Sequence, residues 1–140
     1  MKLQVQKLHP DATMPSFAYD ADAGMDLYAS VGITIEPGER AQVSTGVAMR
    51  IPSGYVGLIW DKSGISHKVG LKTLGGVVDS GYRGELLIGL LNTANESHVF
   101  AVGDKIAQIL IQKVEHFEVE EVDELEESDR GTKGFGSTGV

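Results

Sequence analysis

The sequence predicts an all-β domain, a sandwich or a barrel. Three observations carry this: many short runs of β-branched or alternating apolar residues, turn residues between them, and no long amphipathic helical repeat. Residues 3–6 alternate. Residues 33–35 lead to the turn Pro37-Gly38, and residues 41–51 are rich in β-branched side chains up to Pro52-Ser53-Gly54. Strands are expected again over residues 55–60, 85–92 and 106–114, and one short helix over residues 63–70. Residues 114–127 have a valine and leucine spacing that serves either a helix or a strand. The alternation at Phe117 and Val119 favours a strand.

A chain of 140 residues is expected to form one domain with a real core. It is 41% hydrophobic, and no stretch approaches the ~20 apolar residues of a membrane span, so a soluble protein without a membrane partner is expected. The first ten residues lack the apolar centre of a secretory signal. The absence of cysteine removes thiol chemistry and fits a cytoplasmic location. Four scattered histidines have no metal-ligand spacing, so zinc is not expected.

The formal net charge is −8. Nine of the 20 acids lie in residues 115–129 without a single Lys or Arg, leaving 11 acids against all 12 cations elsewhere. This run reads as a solvated edge or linker. A near-neutral remainder does not suit the wrapping of a nucleic-acid backbone, whereas a free nucleotide needs only a few placed cations.

Residues 130–140 read R-G-T-K-G-F-G-S-T-G-V. Four glycines let backbone N–H groups approach an anion, Ser137 and Thr138 add hydroxyl donors, Arg130 offers a fork for phosphate oxygens and Phe135 a flat face for a base. Gly134, Gly136 and Gly139 match G-x-G-x-x-G, but a dinucleotide fold needs a helix after it, and one residue follows. Ser137 stands where a P-loop has its lysine. The stretch therefore reads as a mobile phosphate-binding arm on a domain spanning residues 1–129, with a disordered tail as the plainer alternative.

Four internal constellations remain: Ala23-Gly24-Met25-Asp26-Leu27-Tyr28-Ala29, Lys62-Ser63-Gly64, the bend Val78-Asp79-Ser80-Gly81-Tyr82-Arg83-Gly84-Glu85, and Gly103-Asp104-Lys105-Ile106-Ala107-Gln108. Singly, each has an ordinary structural reading: a capping carboxylate, a solvated cation, a core ring, a hairpin turn. In this order, and with the arm as a fifth, they resemble the motifs of the homotrimeric dUTP diphosphatase (dUTPase) family. Three positions depart from the pattern. Lys62 stands where the family has arginine, preceded by Asp61 where relatives often have proline, and Thr73 stands where many carry asparagine.

The resemblance implies a distorted, jelly-roll-like antiparallel barrel of the β-clip type and a homotrimer whose active sites draw on three chains. It implies hydrolysis of dUTP to dUMP and pyrophosphate, with Asp79 orienting and deprotonating the water that attacks the α-phosphorus. Lys62, Ser63, Gly64 and Gln108 would hold the phosphates, with Arg130, Gly136, Ser137 and Thr138 closing over them. The backbone of residues 73–79, including Thr73, Gly76 and Val78, would pair with the uracil edge. Tyr82 would exclude a ribose 2′-hydroxyl and Phe135 would cover the base. Mg2+ would sit mainly on phosphate oxygens and water, reached by Asp26 through a water. Arg83 and Glu85 read as structural. Three alternatives stay open: a dCTP deaminase relative, which typically has Arg-Ser-Ser in the second motif; a weak homologue that binds a regulatory protein; and a plain structural barrel.

Overall fold

The computed structural model describes residues 2–129, 131, 132 and 134. Among the described residues ten strands are present: β1 Gln4–Lys7, β2 Met25–Tyr28, β3 Ile33–Ile35, β4 Arg40–Arg50, β5 Tyr55–Trp60, β6 Leu71–Leu74, β7 Val77–Val78, β8 Glu85–Asn92, β9 His98–Phe100 and β10 Lys105–Lys113. They form two four-stranded sheets, ordered β1-β4-β8-β6 and β2-β10-β5-β7, and the two-stranded ribbon β3-β9. Every pairing is antiparallel, which bears out the all-β expectation.

The expected strands appear with shifts of about one residue at their ends. The additional strands β2, β6, β7 and β9 are each four residues or fewer, too short to show a period on their own. The short helix is a single π-helical turn, Ile65–Val69, closed by a bond from the Gly70 amide to the Ile65 carbonyl at 3.0 Å. Gly70 ends it at φ +84°, a left-handed conformation that suits glycine.

The core lies between the sheets. Val43 and Val47 of β4, Ile88 and Leu90 of β8, Ile106 and Ile109 of β10, and Leu27, Ile35, Ile51 and Leu71 are all nearly inaccessible. Each such side chain contributes about 1.5–3 kcal/mol relative to exposure. The β4–β8 pairing slips between Ser44 and Ala48. Gly46 sits in this bulge at φ +65°, and a Cβ there would lie 2.8 Å from the Ala12 Cβ. The Glu85 carboxylate fills the gap in the ladder, accepting the Gly46 amide at 2.7 Å and the Ser44 hydroxyl. Glu85 is thus structural within one chain, as is Arg83, which braces its turn through the Ser80 and Tyr82 carbonyls, both at 2.7 Å.

The strand expected over residues 114–127 does not form. After Val114, whose amide bonds to the Gly54 carbonyl at 2.9 Å, no strand or helix follows among the described residues. Phe117 and Val119 are 85% and 94% exposed. The alternation there faces no partner strand among the described residues, and of nine carboxylates in residues 115–129 only Glu115 has a cation partner there, Lys113 at 3.4 Å, so their mutual repulsion opposes collapse onto the sheet.

Candidate functional site

One pole of the site gathers where β2, β5 and β10 lie side by side. Register places Gln108 of β10 opposite both Asp26 of β2 and Trp60 of β5, so the first, second and fourth motifs converge by strand pairing alone. Asp26 is only 3% exposed and lies between two ammonium groups. Lys62 Nζ donates to its Oδ1, and Lys105 Nζ lies 2.7 Å from its Oδ2, off the line of a hydrogen bond. Burial pushes the Asp26 carboxyl up, but the adjoining ammonium groups of Lys105 and Lys62 outweigh burial and hold it below its ordinary value. The same contact with Asp26 raises Lys105. Gln108 packs over Gly24, where a Cβ would come within 2.5 Å of the amide oxygen. Its Nε2 donates to the Asp61 carbonyl at 2.8 Å. Ser63 and Gly64 are exposed at the start of the π-helical turn, beyond Lys62, whose carbonyl accepts the Ile65 and Ser66 amides.

The second pole belongs to the hairpin of β6 and β7 and the bend after it. Gly75 and Gly76 turn the chain at φ +71° and +117°, and Ile59 donates its amide to the Gly76 carbonyl at 2.7 Å. A Cβ on Gly76 would lie 2.9 Å from the Ile59 carbonyl oxygen, so only glycine lets the hairpin approach β5 this closely. A cavity of about 290 Å³ opens here, lined by Ile59, Leu74, Gly76, Val78, Asp79 and Tyr82 among others. The Tyr82 hydroxyl donates to the Glu85 carbonyl at 2.8 Å, which fixes the ring, and the Asp79 carboxylate is exposed.

The two poles do not meet within one chain. Val78 pairs with Gly57, which puts Asp79 level with Val56 on β5. β5 ends at Trp60, four residues further along and about 13 Å away at ~3.3 Å per strand residue, and Lys62 lies beyond that end. The structure therefore brings Asp26, Lys62 and Gln108 together and Gly76, Val78, Asp79 and Tyr82 together, as separate groups. Thr73 lies between them and is held by Asp61, whose Oδ1 accepts its amide and its hydroxyl, each at 2.7 Å. Lys105 and Asp61 were not legible as site residues from the sequence. Lys105 gave a signal only as the cation after the Gly103-Asp104 turn, and Asp61 only as the residue before Lys62. Arg130, Phe135, Gly136, Ser137 and Thr138 lie outside the described residues.

Asp26 does not fit direct coordination of a metal ion as it stands. Both carboxylate oxygens face an ammonium group, and a divalent cation would have to displace one of them.

The dUTPase family model matches residues 10–139. The chain is 44% identical to the deoxyuridine 5'-triphosphate nucleotidohydrolase of Thermobifida fusca, over 99% of this chain and 79% of that protein. It is 46% identical to the enzyme of the same name from Mycolicibacterium gilvum, over 98% and 94%. Among solved structures it is similar to a dUTPase of Staphylococcus bacteriophage 80alpha with dUpNHpp, at a TM-score of 0.90 and 35% identity over 99% of each chain. A second likeness, at a TM-score of 0.84 and 33% identity over 89% of this chain and 98% of that one, is to a mutant dUTPase of phage phi11 of S. aureus with a structural Mg(II) ion. With its motifs in order along two adjoining sheets and its sequence matched almost end to end, this chain belongs to the dUTPase family.

Proposed function

We propose that the chain hydrolyses dUTP to dUMP and pyrophosphate, in a site assembled from more than one copy of itself. The observation that carries the assembly is the strand register, which sets the exposed Asp79 level with Val56 near one end of β5, while Lys62 lies beyond the other end at Trp60, about 13 Å along at ~3.3 Å per strand residue. A triphosphate bound at Ser63, Gly64 and Gln108 of one chain needs Asp79 from another. A homotrimer provides this, as the family resemblance implies.

In this reading the nucleoside enters the cavity between β5 and the hairpin. The backbone of residues 73–79 offers fixed donors and acceptors to the uracil edge, with Thr73, Gly76 and Val78 along it. Cytosine, with a donor where uracil has an acceptor, leaves a buried group unpaired, and such mismatches discriminate strongly. Tyr82, fixed by its bond to Glu85, stands beside the sugar and leaves no room for a 2′-hydroxyl. Asp79 takes a proton from a water as that water attacks the α-phosphorus, and the bond from phosphorus to the bridging oxygen breaks as pyrophosphate leaves. Lys62, Ser63, Gly64 and Gln108 meet the charge that builds on the departing group. Residues 130–140 form an arm that closes over the triphosphate, with Arg130, Ser137 and Thr138 on the phosphates and Phe135 on the base. Mg2+ bound with the substrate would supply charge neutralisation at its phosphates. The product dUMP serves dTMP synthesis, and removal of dUTP keeps uracil out of DNA, both in the cytoplasm.

The experiment is pyrophosphate release from dUTP beside dCTP, dTTP and UTP with Mg2+, and ammonia assayed in parallel. Rapid release from dUTP alone is expected. Ammonia from dCTP would move the chain to the deaminase branch, and equal turnover of UTP would remove the sugar gate.

A further inference from the structure

Asp61 and Thr73, two of the positions at which this chain leaves the family pattern, are bonded to each other. Asp61 is the last residue before Lys62-Ser63-Gly64, and every polar atom beyond its amide is engaged. Oδ1 takes both donors of Thr73 at 2.7 Å, Oδ2 takes Lys72 Nζ at 2.5 Å, and the main-chain oxygen takes Gln108 Nε2 at 2.8 Å. The carboxylate thus ties the end of β5 to β6, in the other sheet, while Gln108 ties it to β10.

β6 is an edge strand, paired with β8 on one side only. The Thr73 amide lies on its free edge, where an unpaired N–H must otherwise turn to water or another strand. The turn that follows, Gly75-Gly76, is the most permissive backbone in the hairpin and cannot by itself fix where residues 77–79 lie. Restraint has to come from each side of it. On β7 it comes from the pairing with β5 and the Ile59–Gly76 bond, and on β6 from β8 and Asp61. Burial raises the Asp61 carboxyl, but the bonds from Lys72 and Thr73 outweigh it and hold the group below its ordinary value, so it is an ionised acceptor at neutral pH.

We propose that Asp61 is a positioning residue: by gripping Thr73 it fixes the base-contacting hairpin relative to the phosphate-binding loop, and so sets the selectivity for uracil over cytosine. This rests on the reading of residues 73–79 as the base-contacting segment. It also limits what Thr73 can offer the base, because both of its donors are spent on Asp61.

The test uses the full chain with Asp61→Ala, Asp61→Asn, Thr73→Val and Lys72→Met. Amide exchange at Thr73 without substrate, melting temperature, and kcat and KM for dUTP and dCTP are measured on each. Loss of charge-assisted bonds at a site where small misplacements matter should raise the dUTP KM of Asp61→Ala about 10-fold and narrow the dUTP-to-dCTP preference by about 10-fold or more, with a smaller change in kcat. Asp61→Asn keeps an acceptor oxygen and should restore most of the preference. Thr73→Val should fall between, and Lys72→Met should lower the melting temperature at most while leaving the preference intact. Should Asp61→Ala fail to fold, Thr73→Val and Asp61→Asn still decide the matter. The proposal is overturned if Thr73→Val keeps the wild-type preference, or if Asp61→Asn is as poor as alanine. Fast exchange of the wild-type Thr73 amide would overturn the brace itself, whatever the activity. Failure of the wild type to hydrolyse dUTP, with the Thr73 amide protected, would instead sink the proposed function alone.

Discussion

The pole around Asp26 and the pole around Asp79 each present one carboxylate from a family motif, and the fold treats the two oppositely. Asp26 is enclosed and compensated by two lysines, so its charge is spent on holding β2, β5 and β10 in place. Asp79 is exposed at the rim of a cavity, and in the proposed function its charge serves a substrate water. A buried ion pair is costly to break because one charge is left unmatched, whereas an exposed carboxylate is lost at little cost to stability. Stability and chemistry should therefore separate between the two poles when each is mutated.

The sharpest way to break this comparison is Asp79→Asn. It should lower kcat by about 10²–10⁴-fold, the share of a positioned base, with melting temperature and dUTP binding nearly unchanged. A large fall in melting temperature would show that Asp79 is structural after all. Truncation after Asp129 comes next. Removing residues 130–140 should cost about 10²-fold in turnover and leave the assembly and its melting temperature unaltered, since in the proposed function these residues act on the bound triphosphate. Full activity of the truncated chain in the dUTP assay would reduce the arm to a tail.

Lys62 sharpens the comparison from the other pole. Lys62→Ala should lower turnover about 10-fold and also destabilise the fold by about 1–3 kcal/mol, because buried Asp26 is left with Lys105 alone. Lys62→Arg should keep activity or raise it, as a planar fork can hold a carboxylate and a phosphate together. Alanine matching the wild type in both kinetics and denaturant melts would make Lys62 a surface charge.

The smallest effect is in acid. Asp26 and Asp61 are both held below the ordinary value of 3.8, so each adds stability above that value and loses it as pH falls further, through its folded value. Melting temperature should drop steeply below about pH 4 in the wild type and less steeply in Asp61→Asn. An equal slope in both would remove Asp61 from the acid-labile set.

The major strands were legible because each presents β-branched or alternating residues bounded by Gly or Pro, as with β4 before Pro52-Ser53-Gly54. The strands β2, β6, β7 and β9 were not, because two to four residues hold too little pattern and owe their state to neighbours. Residues 114–127 misled for the converse reason, a strand-like alternation with no partner to pair against. The site was legible as motifs but not as geometry. Only strand register shows that the first, second and fourth motifs converge while the third lies apart. The role of Asp61 depends on a contact across two sheets that no local spacing could announce.

The separation of the two poles is tested most directly by complementation. Asp79→Asn and Lys62→Ala chains, each weak alone, are unfolded together, refolded as a mixture and assayed for pyrophosphate release from dUTP. A site shared between copies predicts that the mixture regains about a quarter of wild-type activity, roughly two to three times that of Lys62→Ala refolded alone and several times the average of the two variants, because about a quarter of the sites pair an intact Asp79 with an intact Lys62 from another chain. Activity no greater than the average of the two variants would contradict the shared site and place the whole reaction within a single chain.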